Sequence, residues 1–361
     1  MTNEGAFPLP IDVKDVTAEW LSAALRSRAP GVTVRSAELV DSVFSTCSKL
    51  RYRIELDEAG QAAGLPELII VKGGFEEHAR QLAQMHEREV LGYRDVYPAN
   101  PLRSPACYFA GYDADRRQGI VIMEDLVARG VEFCHASKPQ THEQVADRLS
   151  ALARFHAGSW SSADLLPGGR WGHLPEFWPV MQDFVDRVLA PEAWHDFITA
   201  PRGAATSRKF HDQAWIVEAM GRVKRYCATL PHCVLHGDTH LGNCYIEPDG
   251  TPGFLDTLAS KGPPLLEVSY HVSAALDSAN RRLSEGALVQ HYLDEAARAG
   301  ARVPSFAEAM RQYAIFLLYG HFIWITTRSK YQPEAVNTAN AARVSAAMLD
   351  HGTYELIEQL S

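Results

Sequence analysis

The spacing of apolar positions divides the chain into two parts. Through the first third, short runs of alternating or continuous apolar residues are separated by polar or Gly/Pro breaks. Thr33–Val40, Lys49–Leu56, Leu68–Lys72 and Gly119–Met123 are predicted strands. One predicted helix, about Glu76–Val96, interrupts them. From Thr141 onward the apolar spacing becomes three and four. Thr141 and Gln144 form a predicted capping box, with Val145, Leu149, Leu152 and His156 following on one helical face. Further helices are predicted over Trp178–Val188, His211–Thr229, Leu265–Asp277, Leu283–Ala299 and Ser305–Ser329. The fold class is therefore α+β, with a small β-rich lobe over residues 1–126 and a larger helical lobe over 127–361. The linker falls near Glu124–Val127. Pro167–Arg208, rich in Trp, Pro and Gly, fits either a substrate-binding insertion or irregular packing.

Composition narrows the class. In 361 residues, 46% are hydrophobic and 22% charged, which excludes a disordered or fibrous chain. The 35 Lys and Arg against 44 Asp and Glu give a net charge of −9 and argue against nonspecific nucleic-acid binding. Six cysteines without a Cys-x-x-Cys pair argue against a disulfide scaffold or a thiolate zinc site. Met1–Asp15 lacks a signal-peptide pattern, and Tyr313–Thr327 is too short to span a bilayer. The expectation is a soluble cytoplasmic protein with no nucleic-acid or membrane partner.

The densest chemical signal is His236-Gly237-Asp238-Thr239-His240-Leu241-Gly242-Asn243, followed by Asp256. Cys244–Glu247 and Gly253–Leu255 can pair as a hairpin around Pro248-Asp249-Gly250-Thr251-Pro252. Such a hairpin would make Asn243 and Asp256 neighbours, with Asp238 just upstream. Mg²⁺ takes oxygen ligands, which Asn243 and Asp256 supply. A carboxylate without its own cation, Asp238, can orient a hydroxyl and accept its proton. This is the division of labour of phosphoryl transfer from ATP, and the Asp238-to-Asn243 spacing is that of kinases. A purely structural Asx-rich turn is the plainer alternative.

Phosphoryl transfer also needs a lysine for the phosphates and an acid to hold it. Leu68–Lys72 is a buried-looking strand ending in a lysine. Leu82, Met85, Glu89, Tyr93 and Val96 share one helical face, which leaves Glu89 as a carboxylate in an apolar stripe. A buried charge needs a partner, and Lys72 is the natural one. No Walker A or Gly-x-Gly-x-x-Gly sequence exists. Ser45, Thr46 and Ser48 could instead line phosphates, or form an empty polar turn. Ile120–Leu126 reads as a buried strand leaving for a linker, whose backbone would meet adenine in a kinase-like fold, or as a plain edge connection.

Together these residues resemble the aminoglycoside phosphotransferase and choline kinase superfamily, most closely its ecdysteroid-kinase-like branch. The resemblance rests on His236–Asn243, Asp256, Lys72, Glu89 and Met123-Glu124-Asp125-Leu126. Ala153–Ala157 and Gly262–Leu265 match more weakly. It runs from about Val34 to Tyr292. It implies a protein-kinase-like bilobal fold, ATP and Mg²⁺ as cofactors, and a small-molecule hydroxyl acceptor. Asp238 would be the base, Asn243 and Asp256 the Mg²⁺ ligands, and Lys72 with Glu89 the phosphate anchor. Ser45–Lys49 would cover the phosphates, and Glu124–Leu126 would hold adenine. The sequence departs from the pattern in three places. The phosphate loop lacks glycine, Thr257-Leu258 follows Asp256, and Glu267 stands where relatives often have Asp.

Two rival readings accompany this one. His236, Asp238 and His240 could ligate a metal in a hydrolase. The chain could also be a catalytically inactive nucleotide-binding relative. Without a Gly-x-Ser-x-Gly elbow, and with Cys244 in the hairpin, nucleophilic catalysis is not suggested.

Overall fold

The computed structural model describes residues 8–44 and 46–361. They divide into two compact units. One is Met1–Val131 with Asp256–Leu258, and the other is Glu132–Leu255 with Ala259–Ser361.

The first unit is built on five antiparallel strands: β1 (Val34–Phe44), β2 (Ser48–Leu56), β3 (Leu68–Gly73), β4 (Cys107–Asp113) and β5 (Gln118–Glu124). Their order is β1-β2-β3-β5-β4. Strict alternation makes one face apolar. Leu50, Tyr52, Ile54, Ile69, Val71, Ile120 and Ile122 pack there with Trp20, Leu21 and Leu25 of the helix Ala18–Leu25. On β2 and β3 the intervening residues, Lys49, Arg51, Ile70 and Lys72, take the other face. The pairing Lys49↔Lys72 and Arg51↔Ile70 keeps them in register. The half-buried strand β4 was not predicted. It has no clean alternation, and all seven of its residues are partly exposed.

The predicted single helix over 76–96 is broken. A short helix spans Glu77–Arg80, a second spans Ala83–Leu91, and the second runs into a π turn over Gly92–Val96. The π turn sits where Gly92 meets Thr257. A β-carbon on Gly92 would lie 2.4 Å from the Thr257 methyl group. Arg88 Nη2 donates to the Leu258 carbonyl at 2.7 Å. Thr257 and Leu258, unexpected at these positions, therefore dock the Asp256 segment onto the helix that carries Glu89.

The second unit is helical. The capping box at Thr141 and Gln144 opens the helix His142–Ala157. The helices Phe177–Val188, Gln213–Ala228, Pro264–Ala275, Ser278–Arg298 and Phe306–Thr326 follow the predicted positions to within a few residues. The largest difference is at Ser278, where the Asp277 side chain caps two N–H groups and starts the helix five residues before the predicted Leu283. Pro191–Thr199, Glu334–Asp350 and Thr353–Glu358 are additional helices. In the Trp-rich stretch, Trp171, Trp178 and Trp194 are buried, and Lys261 ties it down through Glu176 and the Leu165 carbonyl. Small strands complete the unit: β6 (Glu132–Phe133), β7 (Cys233–Leu235), β8 (Cys244–Ile246), β9 (Pro252–Phe254) and β10 (Ser260–Gly262). β8 and β9 form the predicted hairpin, with Cys244 opposite Phe254. No described helix is long and apolar enough to cross a membrane.

Candidate active site

In the first unit a cluster of four charges occupies the polar face of the sheet. Lys72 Nζ lies 2.6 Å from Glu89 Oε1 and 2.9 Å from Asp256 Oδ1. Lys49 Nζ lies 2.8 Å from Asp256 Oδ2. Sequence pairs Lys72 with Glu89, and the structure adds Asp256 to that pair. Asp256 has φ 59°, a left-handed conformation that an aspartate tolerates better than most residues. Burial disfavours charge throughout, and the partners decide the outcome. Burial alone would lower the Lys72 ammonium, but Asp256 and Glu89 hold it well above its usual value. Burial would raise Asp256, but Lys49 and Lys72 hold its carboxyl well below the usual range. Glu89 is raised by burial, and Lys72 only partly opposes this. Two ammonium groups against two carboxylates leave the cluster balanced.

The remaining predicted residues of this unit fall in two places. Ser45 lies outside the described residues. Thr46 is half-buried, and Ser48 opens β2 opposite Gly73. Strand alternation puts the Ser48 side chain on the face away from Lys49, so Lys49 is the β2 side chain that meets the cluster. At the linker, Glu124 Oε2 accepts from the Ala106 N–H at 3.1 Å and pairs with Arg129 at 2.7 Å. Leu126 is buried and opens a short helix that Asp125 caps. Arg51, two residues along β2 from Lys49, holds Asp125 at 2.6 Å.

In the second unit, β7 delivers His236-Gly237-Asp238 into a loop fixed largely through its main chain. Gly237 has φ 91°, a conformation that favours glycine. The buried Glu267 accepts from the His236 N–H at 3.1 Å and from the Gly237 N–H. It also meets His156 Nε2 at 2.8 Å, and Tyr292 holds the other ring nitrogen of His156 at 2.8 Å. Burial would raise Glu267, but His156, His236 and the Gly237 N–H keep it lowered. From the other side, Arg148 Nε donates to His271 Nε2 at 3.1 Å, and His271 Nδ1 bonds the Thr239 carbonyl at 2.7 Å. Burial and Arg148 lower His271 to about 3, so it stays neutral.

Asp238 is presented from this frame. Asn243 Nδ2 donates to its Oδ2 at 2.9 Å and to its carbonyl at 3.0 Å. The Tyr270 hydroxyl donates to its Oδ1 at 3.3 Å. The Leu255 N–H donates to the Asn243 carbonyl at 3.0 Å and fixes that end of the hairpin. Asn243 therefore orients the carboxylate through its amide nitrogen and leaves its amide oxygen as a candidate ligand. Tyr270, Glu267, His156 and Arg148 were not singled out from sequence as site residues, and Lys49 entered only as the end of the Ser45–Lys49 phosphate cover. Glu267 and His156 carried the signal of polar groups on apolar helical faces; the others carried none.

The histidines of the motif pack and make local polar contacts, and His240 Nε2 lies 3.6 Å from Asp238 Oδ2. His236 is fully buried against Phe254, and its Nδ1 accepts from the Asp238 N–H at 3.3 Å. His240 Nδ1 accepts from the Gly242 N–H at 3.0 Å, and its ring stands edge-on to Trp324. Among the described residues no three His, Cys, Asp or Glu side chains gather to hold a metal ion. His236, Asp238 and His240 do not form such a group. Burial pushes Cys244 up to about 12, which fits an inert thiol.

The antiparallel β unit, the helical unit and their acid centres define a class: this is a kinase, a small-molecule phosphotransferase. The chain belongs to the phosphotransferase enzyme family, which it matches over residues 75–304. Among solved structures, the amicoumacin kinase hAmiN, in complex with AMP-PNP, Ca²⁺ and Ami, is 11% identical. That alignment covers 94% of this chain and 95% of hAmiN at a TM-score of 0.50, a likeness of protein-kinase-like fold. Choline kinase LicA from Streptococcus pneumoniae is 13% identical over 92% of this chain and 98% of LicA, at a TM-score of 0.47. A choline/ethanolamine kinase family protein from Mesorhizobium loti is 14% identical over 94% of this chain and 97% of its own, at 0.44. Among curated proteins none matches in sequence.

Proposed function

We propose that this enzyme uses ATP and Mg²⁺ to phosphorylate a hydroxyl of a small molecule. The observation that carries the reading is Lys72 held between Glu89 and Asp256, a device for gripping nucleotide phosphates that a hydrolase does not need. Asp238 accepts the proton of the acceptor hydroxyl as its oxygen bonds to the γ-phosphorus and the bond to the bridging oxygen breaks, releasing ADP. Asn243 and Tyr270 hold the Asp238 carboxylate for this, so catalysis is mostly positioning. Asn243 and Asp256 supply the oxygen donors that Mg²⁺ prefers. Bound there, Mg²⁺ would neutralise charge on the phosphates. The linker at Glu124–Leu126 is the proposed adenine contact, and the turn at Ser45–Ser48 the proposed phosphate cover. Within the family, the His236–Asn243 and Met123–Leu126 segments support the ecdysteroid-kinase-like branch. Six unpaired cysteines support a reducing, cytoplasmic setting.

Thermal unfolding with ATP, with and without Mg²⁺, tests the nucleotide half. A ligand at 100 times its Kd stabilises by about 2.7 kcal/mol, which raises Tm by a few degrees. The expected result is a Mg²⁺-dependent shift in wild type that Asp256→Ala loses. Asp238→Ala should keep nucleotide affinity and lower kcat by about 10²- to 10⁴-fold on whichever acceptor a panel of aminoglycosides, choline-like and steroid-like alcohols yields. Wild-type turnover in Asp238→Ala would remove it as the base.

A further inference from the structure

Lys49 is one cation more than a site built on Lys72 and Glu89 requires. It stands directly opposite Lys72 across β2 and β3, on the same face of the sheet. Two ammonium groups in that relation repel, and here Asp256 bridges them, one carboxylate oxygen to each. The two lysines differ in access. The Lys72 side chain is 5% exposed and anchored a second time by Glu89, whereas Lys49 is 38% exposed and has Asp256 as its ion-pair partner. Lys49 can therefore leave by side-chain rotation alone. The turn preceding it, Ser45-Thr46-Cys47-Ser48, contains no glycine. A glycine-rich turn lets phosphate approach bare main-chain N–H groups, whereas every position of this turn carries a side chain.

We propose that Lys49 is a second phosphate-binding lysine, which moves from Asp256 to the β- and γ-phosphate oxygens of bound nucleotide and replaces the contacts a glycine-rich turn would make. The inference rests on the nucleotide-kinase reading. While nucleotide is absent, Lys49 occupies Asp256 Oδ2. When it turns to phosphate, that oxygen becomes available to a metal cation. The exchange keeps every anion facing a cation, since phosphates and metal arrive together. A lysine suits this role because its ammonium binds phosphate as a mobile point charge.

The test is calorimetric titration of ATP, ADP and AMP, each with Mg²⁺, into wild type, Lys49→Met and Lys49→Arg. The loss in Lys49→Met should grow with the number of phosphates. It should reach about 10- to 100-fold in Kd for ATP and stay within about twofold for AMP. Lys49→Arg should recover most of the ATP affinity, which also guards against a misfolded variant. Unchanged ATP affinity in Lys49→Met, or an equal loss for all three nucleotides, would overturn the assignment and leave Lys49 as a structural ion pair. If wild type itself binds no ATP, the kinase reading falls first and takes this role with it.

Discussion

Each unit holds carboxylates among its own candidate site residues, and the two units satisfy them differently. In the first, Glu89 and Asp256 face the ammonium groups of Lys49 and Lys72. In the second, Glu267 faces main-chain N–H groups of His236 and Gly237. The Asp238–Asn243 loop is held further by His271 on the Thr239 carbonyl. A lysine can exchange partners by rotating its side chain, whereas a main-chain N–H moves only with its loop. The Lys49–Lys72 cluster is thus suited to rearrange when an anion arrives. The Asp238 loop is held through its main chain, as the proposed base would need in order to stand at one place for in-line transfer.

The largest test of this contrast is a mutant cycle. Lys72→Met leaves Glu89 buried with its main partner gone and should cost about 3–5 kcal/mol of stability. Adding Glu89→Leu removes the orphaned charge, and the double variant should recover much of that loss, because a buried ion pair is often replaceable by apolar residues. Glu267→Leu should cost a similar amount, but no second side-chain change can rescue it, since its partners include two main-chain N–H groups. Urea unfolding of the variants reads the difference. A Lys72→Met/Glu89→Leu double variant as unstable as the sum of its singles would break the contrast.

Acid should sharpen it at a somewhat smaller scale. Burial, helped by Lys72, lowers His86 in the first unit to about 4. In the second unit burial and Arg148 lower His271 to about 3, and burial lowers His321 to about 3. An unfolded histidine titrates near pH 6.5, so these groups cost nothing above that pH. As pH falls below 6.5 the unfolded chain binds protons that the folded chain refuses, and stability drops until the folded values are reached. At pH 5 each group has removed about 2 kcal/mol. His211, lowered by burial, and His232, held up by Glu176 against burial, pull in opposite directions. Hydrogen exchange at pH 7 and pH 5 should show a greater loss of protection in the second unit. Equal loss in both, or stability flat across that range, would count against His86, His271 and His321 being held neutral by burial.

Legibility from sequence follows the same division. Lys72 and Glu89 could be paired because a strand-end lysine and an acid in an apolar stripe lie in one short stretch, where a buried charge demands a partner. Asp238, Asn243 and Asp256 were legible from spacing, and the hairpin from its Asp-Gly turn. Lys49 alternated with Leu50 like any polar strand residue. Only the Lys49↔Lys72 register brings it beside Asp256, 207 positions along the chain. Glu267 stood out in the sequence only as a departure from the family pattern. Its work is on main-chain groups 30 and 31 residues away, which no periodicity announces. The close approach of Thr257 to Gly92, where the π turn begins, was hidden for a similar reason, because it joins residues far apart in the sequence.

The smallest effect concerns Tyr270, and it isolates the base from its frame. Its hydroxyl donates to Asp238 Oδ1 at 3.3 Å, a long bond, while its ring packs against Tyr319 and Trp324. Tyr270→Phe keeps the packing and removes the donor. A hydrogen bond of this length is worth about 1 kcal/mol, which corresponds to a loss of about fivefold in kcat if it holds Asp238 in the reactive orientation. Affinity for ATP should not change, because Tyr270 has no part in the nucleotide half. Tyr270→Ala, which also opens the aromatic packing, should lower Tm and raise the acceptor KM as well. If Tyr270→Phe instead weakened ATP binding and left kcat alone, the two halves would not be separable in the way their hydrogen bonds imply. A loss confined to kcat would make Tyr270 a positioning residue that acts through Asp238.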